Sequence, residues 1–282
     1  MLSWLIATML NLALPGALAQ SAPPDPEPRF AAIERRTGGR LGVALVDADG
    51  RLLISHRADE RFAMCSTFKL PLAAMLLSSR VPLRTPLPLS RADLLSNSPH
   101  SEQALAAGVP LRAGLAAQAI IERSDNSAAN LLLRRLGGPE ALTAWLRRAG
   151  DPTTRLDRYE LALNENRPGD PRDTTSPAAI ARTTADIIYG DLLARSLRAR
   201  LRGWTTASGT GLRRIRAGLP SGWRAGDKTG SCGTAFNDVA WFEVPGGASF
   251  VLAVYLDRPT VSAAQAEAAI AEVARHVAAR AS

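Results

Sequence analysis

Strand-like segments lie near both ends of this 282-residue chain, and a long helical block separates them. Residues 41–47 (LGVALVD) alternate as a strand does, and after the ADG turn residues 51–57 (RLLISHR) are predicted as the hairpin partner. Towards the other end, GWRAGDKTGSC, NDVAWFEV and SFVLAVYL (249–256) are short, apolar and separated by glycine-containing turns. We therefore expect strands from both termini to meet in one sheet.

The segment from about residue 66 to 206 has the helical spacing of apolar residues, with Gly and Pro between successive helices. A first amphipathic helix ends near Gly38–Gly39, and a last one covers residues 262–281. The fold class predicted is α/β plus all-α: an antiparallel sheet from both chain termini, flanked by the N- and C-terminal helices and packed on a helical domain. The α/β domain comprises residues 20–57 and 207–282, and the all-α domain comprises residues 58–206.

The first 19 residues contain no charged side chain. Leu2–Ala13 form an apolar core, and Ala17-Leu18-Ala19 match a small-x-small cleavage pattern. We predict a signal peptide of residues 1–19, cut after Ala19, and export to the bacterial periplasm. The alternative is an uncleaved membrane anchor, but the apolar run is short and is interrupted by Asn11 and Pro15.

The net charge of +8 is spread along the chain, and aromatic residues make up only 5% of it. The sequence has no Lys/Arg-rich block with interleaved aromatic residues, so we predict no binding to nucleic acid. The three histidines, His56, His100 and His276, are far apart and lack the spacing of metal ligands. We therefore predict neither a metal site nor a cofactor.

Lysine is rare here, because the 34 basic residues include only Lys69 and Lys228 as lysines. Lys69 follows Ser66 by three positions at the predicted start of a helix, where residues i and i+3 share one face. A serine hydroxyl becomes a good nucleophile only when a base removes its proton. A partly desolvated lysine can lose its proton near neutral pH, whereas an arginine cannot. Because only two of the 34 basic residues are lysines and both lie in short motifs, we favour an activated serine over the alternative, a surface serine followed by a solvated lysine.

Two further short motifs contain residues suited to a ligand site. In DKTGS (227–231), Lys228 and Thr229 precede Gly230 on a predicted strand, where a glycine allows a ligand or another backbone to approach closely. SDN (124–126) ends one predicted helix and starts another. Ser, Asp and Asn are also the favoured helix-capping residues, so SDN alone would be interpreted as a cap.

In this order, SxxK at Ser66, SDN at Ser124 and KTG at Lys228 resemble the motifs of class A β-lactamases and penicillin-binding proteins. The resemblance covers residues 29–282 and implies a β-lactamase/transpeptidase-like fold. It also implies an acyl-enzyme on the serine, which both groups form. The two groups differ in whether water then removes the acyl group.

The segment at about 155–175, predicted as an omega loop, distinguishes these two groups. It contains RYELALN (158–164), which is similar to the class A pattern Arg-x-Glu-x-x-Leu-Asn. Glu160 and Asn164 are four residues apart, so on one helical turn they project together and can share a water molecule. The resemblance also implies an ion pair between Arg158 and Asp173. We therefore favour a serine β-lactamase over a penicillin-binding protein.

The resemblance implies a role for each matched residue. Ser66 attacks the lactam carbonyl, and Lys69, or Glu160 through a water molecule, takes its proton. The backbone N–H groups of Ser66 and Ser231 hold the oxyanion, and Glu160 activates the water that hydrolyses the acyl-enzyme. The remaining roles are proton transfer to the lactam nitrogen by Ser124, positive potential from Lys228, and binding of the substrate's amide by Asn126 and of its carboxylate by Thr229, Ser231 and Arg214.

Cys65 and Cys232 are the only cysteines of the sequence. If Ser66 and the KTG strand face one substrate, as the resemblance implies, these cysteines are neighbours. An oxidising compartment then favours a disulfide over the alternative of two buried free thiols. The arrangement resembles the subset of class A enzymes that hydrolyse carbapenems.

The expected protein is a monomeric enzyme that hydrolyses penicillins and cephalosporins, carbapenems in addition, and gives antibiotic resistance. Its expected partner is a small-molecule β-lactam, with no membrane association after removal of the signal peptide. The alternatives are a penicillin-binding DD-peptidase and a receptor domain that a β-lactam acylates without turnover. The pair of Glu160 and Asn164 argues against the receptor, which needs no deacylating carboxylate.

Overall fold

The computed structural model describes residues 28–281, so the predicted signal peptide of residues 1–19 lies outside the described part. The helices are α1 (Pro28–Thr37), α2 (Lys69–Ser78), α3 (Pro99–Ala106), α4 (Ala113–Glu122), α5 (Asn126–Leu136), α6 (Pro139–Arg148), α7 (Pro177–Ile188), α8 (Arg195–Thr206), α9 (Ile215–Gly218) and α10 (Ala263–Ala281). The strands are β1 (Arg40–Asp47), β2 (Leu52–His56), β3 (Phe62–Ala63), β4 (Pro86–Leu87), β5 (Leu111–Arg112), β6 (Thr174–Thr175), β7 (Arg224–Cys232), β8 (Ala235–Glu243) and β9 (Ser249–Asp257). Among these helices, none combines the length and apolar character that crossing a membrane requires.

A five-stranded antiparallel sheet joins the two ends of the chain, in the order β2-β1-β9-β8-β7. β1 pairs with β9 along its whole length, from Arg40 opposite Asp257 to Asp47 opposite Phe250. Both strands have nearly continuous runs of buried residues, because helices cover both faces of the sheet at this point. The predicted antiparallel sheet from both termini is confirmed.

The two faces of the sheet pack against different helices, because successive strand residues point to opposite sides. Val43 lies in a core with Phe30 of α1 and Ile270 of α10. Ala44 and Val46 point the other way, into a larger core that includes residues of α2, α4, α5 and α7. The first and last helices therefore flank one face, as predicted, and the helical block of the middle chain covers the other.

The central helix of this block is α2, which is buried from Lys69 to Leu77. Its apolar residues surround the whole helix axis, as is usual for a helix inside a protein. The helices around it are α4, α5, α6 and α7. A charged side chain at the start of α2 is therefore enclosed by protein rather than by water.

The block of residues 58–206, predicted as all-α, also contains two short strand pairs. β3 pairs with β6 through Phe62 and Thr175, and β4 pairs with β5 through Leu87 and Leu111. Strands of two residues are too short to show an alternating pattern, so no sequence signal marks them. The rest of this block is helices and loops, and the division of the chain into an α/β domain and an all-α domain stays a prediction.

Gly218 ends α9 where this short helix packs against α10. A Cβ at Gly218 would lie 2.1 Å from the carbonyl oxygen of Ala271 and 2.7 Å from the Cβ of Ala274. Since the contact is with helix backbone, we expect Gly218→Ala to lower the free energy of unfolding by about 1–3 kcal/mol, the usual range for overpacking. Urea denaturation measures this change.

Gly203→Ala is the matched control, because Gly203 lies inside α8 and a Cβ there would meet nothing within 4 Å. Alanine is better than glycine in a helix interior by about 0.8–1.0 kcal/mol. The control should therefore be as stable as the parent protein or more stable. Equal effects of the two substitutions would contradict the packing described for α9 and α10.

Candidate active site

Ser66 lies in a single 3-10 turn, Cys65–Phe68, that leads directly into α2. Lys69 is the first residue of α2, and its Nζ donates a hydrogen bond to Ser66 Oγ at 3.0 Å. The serine is half-buried, whereas the lysine side chain is 0% exposed. The spacing of three residues thus brings the ammonium group onto the hydroxyl, and burial removes water from it.

Acceptors from two other segments surround the ammonium group of Lys69. Its Nζ forms an ion pair with Glu160 Oε1 at 2.9 Å and donates to Ser124 O at 2.9 Å and Asn126 Oδ1 at 2.5 Å. Burial lowers the pKa of Lys69, and the carboxylates of Glu160 and Asp125 oppose this change. A lysine in this environment is suited to exchange a proton with a neighbouring hydroxyl.

Ser124 lies between the two lysines of the chain. Its Oγ is 3.3 Å from Lys69 Nζ and 3.2 Å from Lys228 Nζ. The backbone of Ser124 has a φ of 57°, in the left-handed region that few non-glycine residues adopt. Such backbone conformations are concentrated at functional sites. The kink between α4 and α5 therefore directs this hydroxyl between two ammonium groups.

Lys228 is the second fully buried lysine, with a side chain that is 0% exposed. Its Nζ also donates to Thr229 O at 2.7 Å. Burial lowers the pKa of Lys228 to about 7, and the nearby charge of Lys69 adds to this effect. The carboxyls of Asp227 and Asp238 act in the opposite direction.

The other two residues of SDN fix the start of α5. Asp125 is the N-cap, and its Oδ1 accepts a hydrogen bond from the backbone N–H of Ala128 at 2.9 Å. Asn126 is the first residue of α5, and its Nδ2 donates to Ser96 O at 2.8 Å while its Oδ1 faces Lys69. SDN is therefore a helix cap and a part of the site at the same time.

The predicted omega loop is closed at its neck by Arg158 and Asp173. Arg158 Nε lies 2.6 Å from Asp173 Oδ2, and the backbone N–H of Arg158 donates to Asp173 Oδ1 at 3.0 Å. Glu160 is buried in this loop, and the Glu160–Leu161 peptide bond is cis. Asn164 Nδ2 donates to Glu160 Oε2 at 2.6 Å. The loop thereby directs the Glu160 carboxyl towards the interior.

Asn130 is a residue of the site that sequence reasoning missed. Its Nδ2 donates to Glu160 O at 2.8 Å, and its Oδ1 accepts from the Glu160 backbone N–H at 2.9 Å. These two hydrogen bonds hold both the C=O and the N–H of Glu160, and so fix the loop backbone at this residue. Asn130 lies one helical turn after Asn126 on α5, and this i, i+4 spacing of two asparagines is the signal that could have identified it.

The strand β7 approaches the serine turn closely because residue 230 is a glycine. A Cβ on Gly230 would lie 2.5 Å from Met64 O and 3.2 Å from the backbone nitrogen of Ser66. A side chain at this position would separate the strand from the turn. Beside it, Thr229 Oγ1 donates to Thr210 Oγ1 at 2.7 Å, a contact for which the sequence provides no spacing signal.

Among the three arginines of residues 213–216, the side chain that reaches Ser231 is that of Arg214. Its Nη2 donates to Ser231 Oγ at 2.7 Å, and the residue is only 5% exposed. Arg213 and Arg216 form ion pairs with carboxylates, Arg213 with Glu267. Glu267 Oε1 of α10 also lies 3.4 Å from Arg214 Nη2, and no pattern in the sequence links these two residues.

A disulfide joins Cys65 and Cys232, whose Cα atoms are 5.6 Å apart. It connects the serine turn to the end of β7 across 167 residues of chain, and both cysteines are buried. The neighbouring strand β8 supports the same turn, because Asn237 Nδ2 donates to Ala63 O at 2.8 Å. The predicted disulfide is confirmed.

Together these contacts assemble a serine nucleophile, two lysines, a carboxyl and a closely approaching strand edge in one place. Within residues 28–281, no three His, Cys, Asp or Glu side chains are grouped so that they could hold a metal ion. The arrangement is that of acid–base chemistry on a serine, with donors available for a developing negative charge.

Comparison with known proteins extends this description to the whole chain. A family model described as "Beta-lactamase enzyme family" matches residues 25–281. Beta-lactamase L2 of Stenotrophomonas maltophilia is 44% identical over 285 residues, which cover 95% of this chain and 93% of that protein. The carbapenem-hydrolyzing beta-lactamase KPC of Klebsiella oxytoca is 42% identical over 280 residues, which cover 97% of this chain and 92% of that protein.

A solved structure shows the same fold. The class A β-lactamase of the last common ancestor of Gram-negative bacteria superposes with a TM-score of 0.87 and is 47% identical in sequence, covering 90% of this chain and 98% of that one. Sequence, fold and the contacts around Ser66 therefore agree. The chain belongs to the β-lactamase enzyme family, and it is a class A serine β-lactamase, a hydrolase of antibiotic resistance.

Proposed function

We propose that this enzyme opens the β-lactam ring of penicillins and cephalosporins through a covalent acyl-enzyme on Ser66. The observation that best supports this mechanism is the position of one buried ammonium group, Lys69 Nζ, against both Ser66 Oγ and the Glu160 carboxyl. A nucleophile, a base for its activation and a carboxyl that can activate water are thereby adjacent.

In the acylation step, the neutral amine form of Lys69 accepts the proton of Ser66. Its Nζ is 3.0 Å from Oγ, and burial lowers its pKa. The alternative route, through Glu160 and a water molecule, uses the same ion pair, since Lys69 Nζ and Glu160 Oε1 are 2.9 Å apart. The charge on the lactam oxygen is stabilised by the backbone N–H groups of Ser66 and Ser231, and Gly230 allows the two segments to approach.

Ring opening requires a proton on the departing lactam nitrogen, and we assign its delivery to Ser124. Its hydroxyl is in contact with both lysines, so a proton can pass from Lys69 through Ser124 to the nitrogen. Lys228 contributes positive potential at the same point. Asn126, whose Oδ1 faces Lys69, is assigned to the side-chain amide of the substrate.

The substrate carboxylate is assigned to the edge of β7. Thr229 and Ser231 are two residues apart on this strand, so their side chains point to the same side. Arg214 adds a buried guanidinium that already donates to Ser231 Oγ at 2.7 Å. Such a corner of two hydroxyls and a cation suits an anionic group.

Deacylation is assigned to Glu160 and Asn164, with the loop held closed by Arg158 and Asp173. Asn164 Nδ2 fixes one carboxylate oxygen of Glu160 at 2.6 Å. The other oxygen, Oε1, is buried and lies 2.9 Å from Lys69 Nζ, and Asn164 Oδ1 is buried and accepts no hydrogen bond from the residues that the structure describes. These two acceptors on neighbouring side chains suit the binding and activation of one water molecule.

Carbapenems are proposed as additional substrates. The support is the disulfide that flanks Ser66 on one side and Ser231 on the other, together with a relative that is named a carbapenem-hydrolyzing β-lactamase. We further propose that the mature enzyme acts as a monomer in the periplasm, where the charge-free N-terminal segment would direct it.

Glu160→Gln tests the deacylation step. The amide cannot accept a proton from water, so we expect penicillin to acylate Ser66 and the adduct to persist, with turnover reduced by about 10²–10⁴-fold, the usual contribution of a general base. Mass spectrometry after mixing measures the adduct. Glu140→Gln, at an exposed position of α6, is the control and should return rapidly to free enzyme.

Normal turnover by the Glu160→Gln variant would refute this assignment. A persistent adduct on the unmodified enzyme would instead indicate a penicillin-binding protein, which acylates without rapid hydrolysis.

The pH dependence of kcat/KM tests Lys228. Its pKa is about 7, so its charge is present below that pH and is lost as the pH rises through it. We expect kcat/KM for an anionic penicillin to decline on the alkaline side of neutrality. In Lys228→Arg the guanidinium stays charged, so the pH midpoint of the decline should rise by at least about one pH unit. An unchanged midpoint in the variant would exclude Lys228 as its source.

Carbapenem turnover tests the proposed substrate range. We expect multiple turnovers of a carbapenem by the unmodified enzyme, followed by absorbance. Replacing both cysteines by serine should lower the free energy of unfolding by about 2–5 kcal/mol, as is typical for a native disulfide. Because both cysteines adjoin proposed site residues, carbapenem turnover should fall by a larger factor than penicillin turnover. Unmodified enzyme that remains acylated by the carbapenem would reject the proposal.

A further inference from the structure

Asp238 of β8 is a buried carboxyl to which the proposed reaction assigns no role. It is 0% exposed, and its Oδ2 accepts the backbone N–H of Ile215 at 3.0 Å. Its Oδ1 is buried and accepts no hydrogen bond from any residue that the structure describes. The two arginines nearby form ion pairs with other carboxylates, Arg214 with Glu267 and Arg216 with Asp227 of β7.

The register of the sheet places Asp238 beside the proposed carboxylate site. Asp238 is opposite Thr229, and Asp227 is opposite Ala240. Directly opposed residues of antiparallel strands share a face, and so do residues two apart on one strand. Asp227, Thr229 and Asp238 therefore lie on one face. Asp238 accepts its hydrogen bond from the backbone N–H of Ile215, the residue directly after Arg214. This carboxyl therefore also fixes the backbone beside Arg214.

An ionised carboxylate with one hydrogen bond and no paired cation is strongly unfavourable in the interior, and such a group keeps its proton instead. Asp227 differs, because Arg216 Nε lies 2.6 Å from its Oδ1 and compensates its charge. Burial raises the pKa of Asp238 well above its ordinary value, and the charge of Asp227 adds to this effect. Burial raises the pKa of Asp227 to about 6, and the charges of Arg216 and Lys228 oppose this rise.

The net charge of the group of side chains around Arg214 depends on whether Asp238 carries a proton. Seven charged or ionisable side chains form this corner, namely the cations Arg213, Arg214, Arg216 and Lys228 and the carboxyls Asp227, Asp238 and Glu267. With all three carboxyls ionised, one positive charge remains. With a proton on Asp238, two positive charges remain.

We propose that Asp238 is a positioning residue that remains a neutral acid in the resting enzyme, so that Arg214 presents a net positive charge to the substrate carboxylate. The proposal rests on the proposed function for one point, the assignment of Thr229, Ser231 and Arg214 to that carboxylate. As the pH rises, Asp238 loses its proton and the net positive charge of the corner falls by one. Binding of an anionic substrate then weakens, whereas binding of a neutral one does not.

Infrared difference spectroscopy of the resting enzyme tests the protonation state without any substrate. At neutral pH, the spectrum of the parent enzyme minus that of Asp238→Asn should contain the carbonyl band of a protonated carboxylic acid. The band should disappear at alkaline pH. Asp151→Asn is the control, since Asp151 is buried elsewhere and accepts hydrogen bonds from Thr153, Thr154 and Thr183. The parent minus this control should lack the band.

Asp227→Asn provides a second variant should Asp238→Asn fail to fold. Removing the charge of Asp227 also leaves Arg216 without its carboxylate, so Asp238 should ionise at lower pH. The acid band seen in the parent enzyme at neutral pH should then be weakened or lost in Asp227→Asn. A parent enzyme without an acid band at neutral pH, or a band that no substitution of Asp238 or Asp227 alters, overturns the proposal.

Kinetics test the consequence for the substrate. One unit charge at about 10 Å, with an effective dielectric constant of about 20, changes binding by roughly tenfold. The ratio of KM in the parent to KM in Asp238→Asn should therefore be near one at neutral pH and roughly ten at alkaline pH for an anionic cephalosporin. For the methyl ester of the same cephalosporin, the ratio should stay near one throughout.

A ratio that stays flat for the anionic substrate, although the infrared band is present, overturns the positioning role. An equal rise for the ester overturns it as well, because a neutral ligand does not sense the charge. Failure of the proposed function itself would be recognised separately, since neither substrate would then be hydrolysed while the infrared result still decides the state of Asp238.

Discussion

The ammonium group of Lys69 is fully buried, and the rest of the site is arranged around it. A cation removed from water is stable only where acceptors and carboxylates replace its hydration shell. Those groups come from the serine turn, SDN and the omega loop: Ser66, Ser124, Asn126 and Glu160. One buried charge therefore connects three segments that are distant in sequence. Lys228 lies on the far side of Ser124 and places a second desolvated cation against the same hydroxyl.

Close backbone contact supports this arrangement from the side of the sheet. Gly230 allows β7 to pass within reach of the serine turn, and the disulfide holds the end of that strand to Cys65. On the other side, Asn130 binds both backbone groups of Glu160. The position of each reacting group thus depends on neighbours that need not touch a substrate. Asp238 is the extreme case, because its proposed influence is exerted only through the charge balance around Arg214.

Much of the fold could be predicted, because apolar periodicity over eight or more residues indicates which face of a helix or strand is buried. The strands at both ends, the flanking helices and the antiparallel sheet are of this kind. The two-residue strands β3 and β6 are too short to have such a pattern, and their pairing is determined by the surrounding chain. Residues within one motif could likewise be identified by spacing. Thr210 and Glu267 could not, because each acts through a contact with a distant segment.

The sequence by itself determined the chemistry that is available. A chain whose basic residues are almost all arginine places its two lysines, which can give up a proton, beside a serine and in a KTG strand. Only the tertiary structure decided how that chemistry is tuned. Desolvation and the distances between charges set the protonation of Lys69, Lys228 and Asp238, and both quantities arise when separate segments exclude water from a common interior. No local pattern contains them, because water is excluded by the folded chain as a whole.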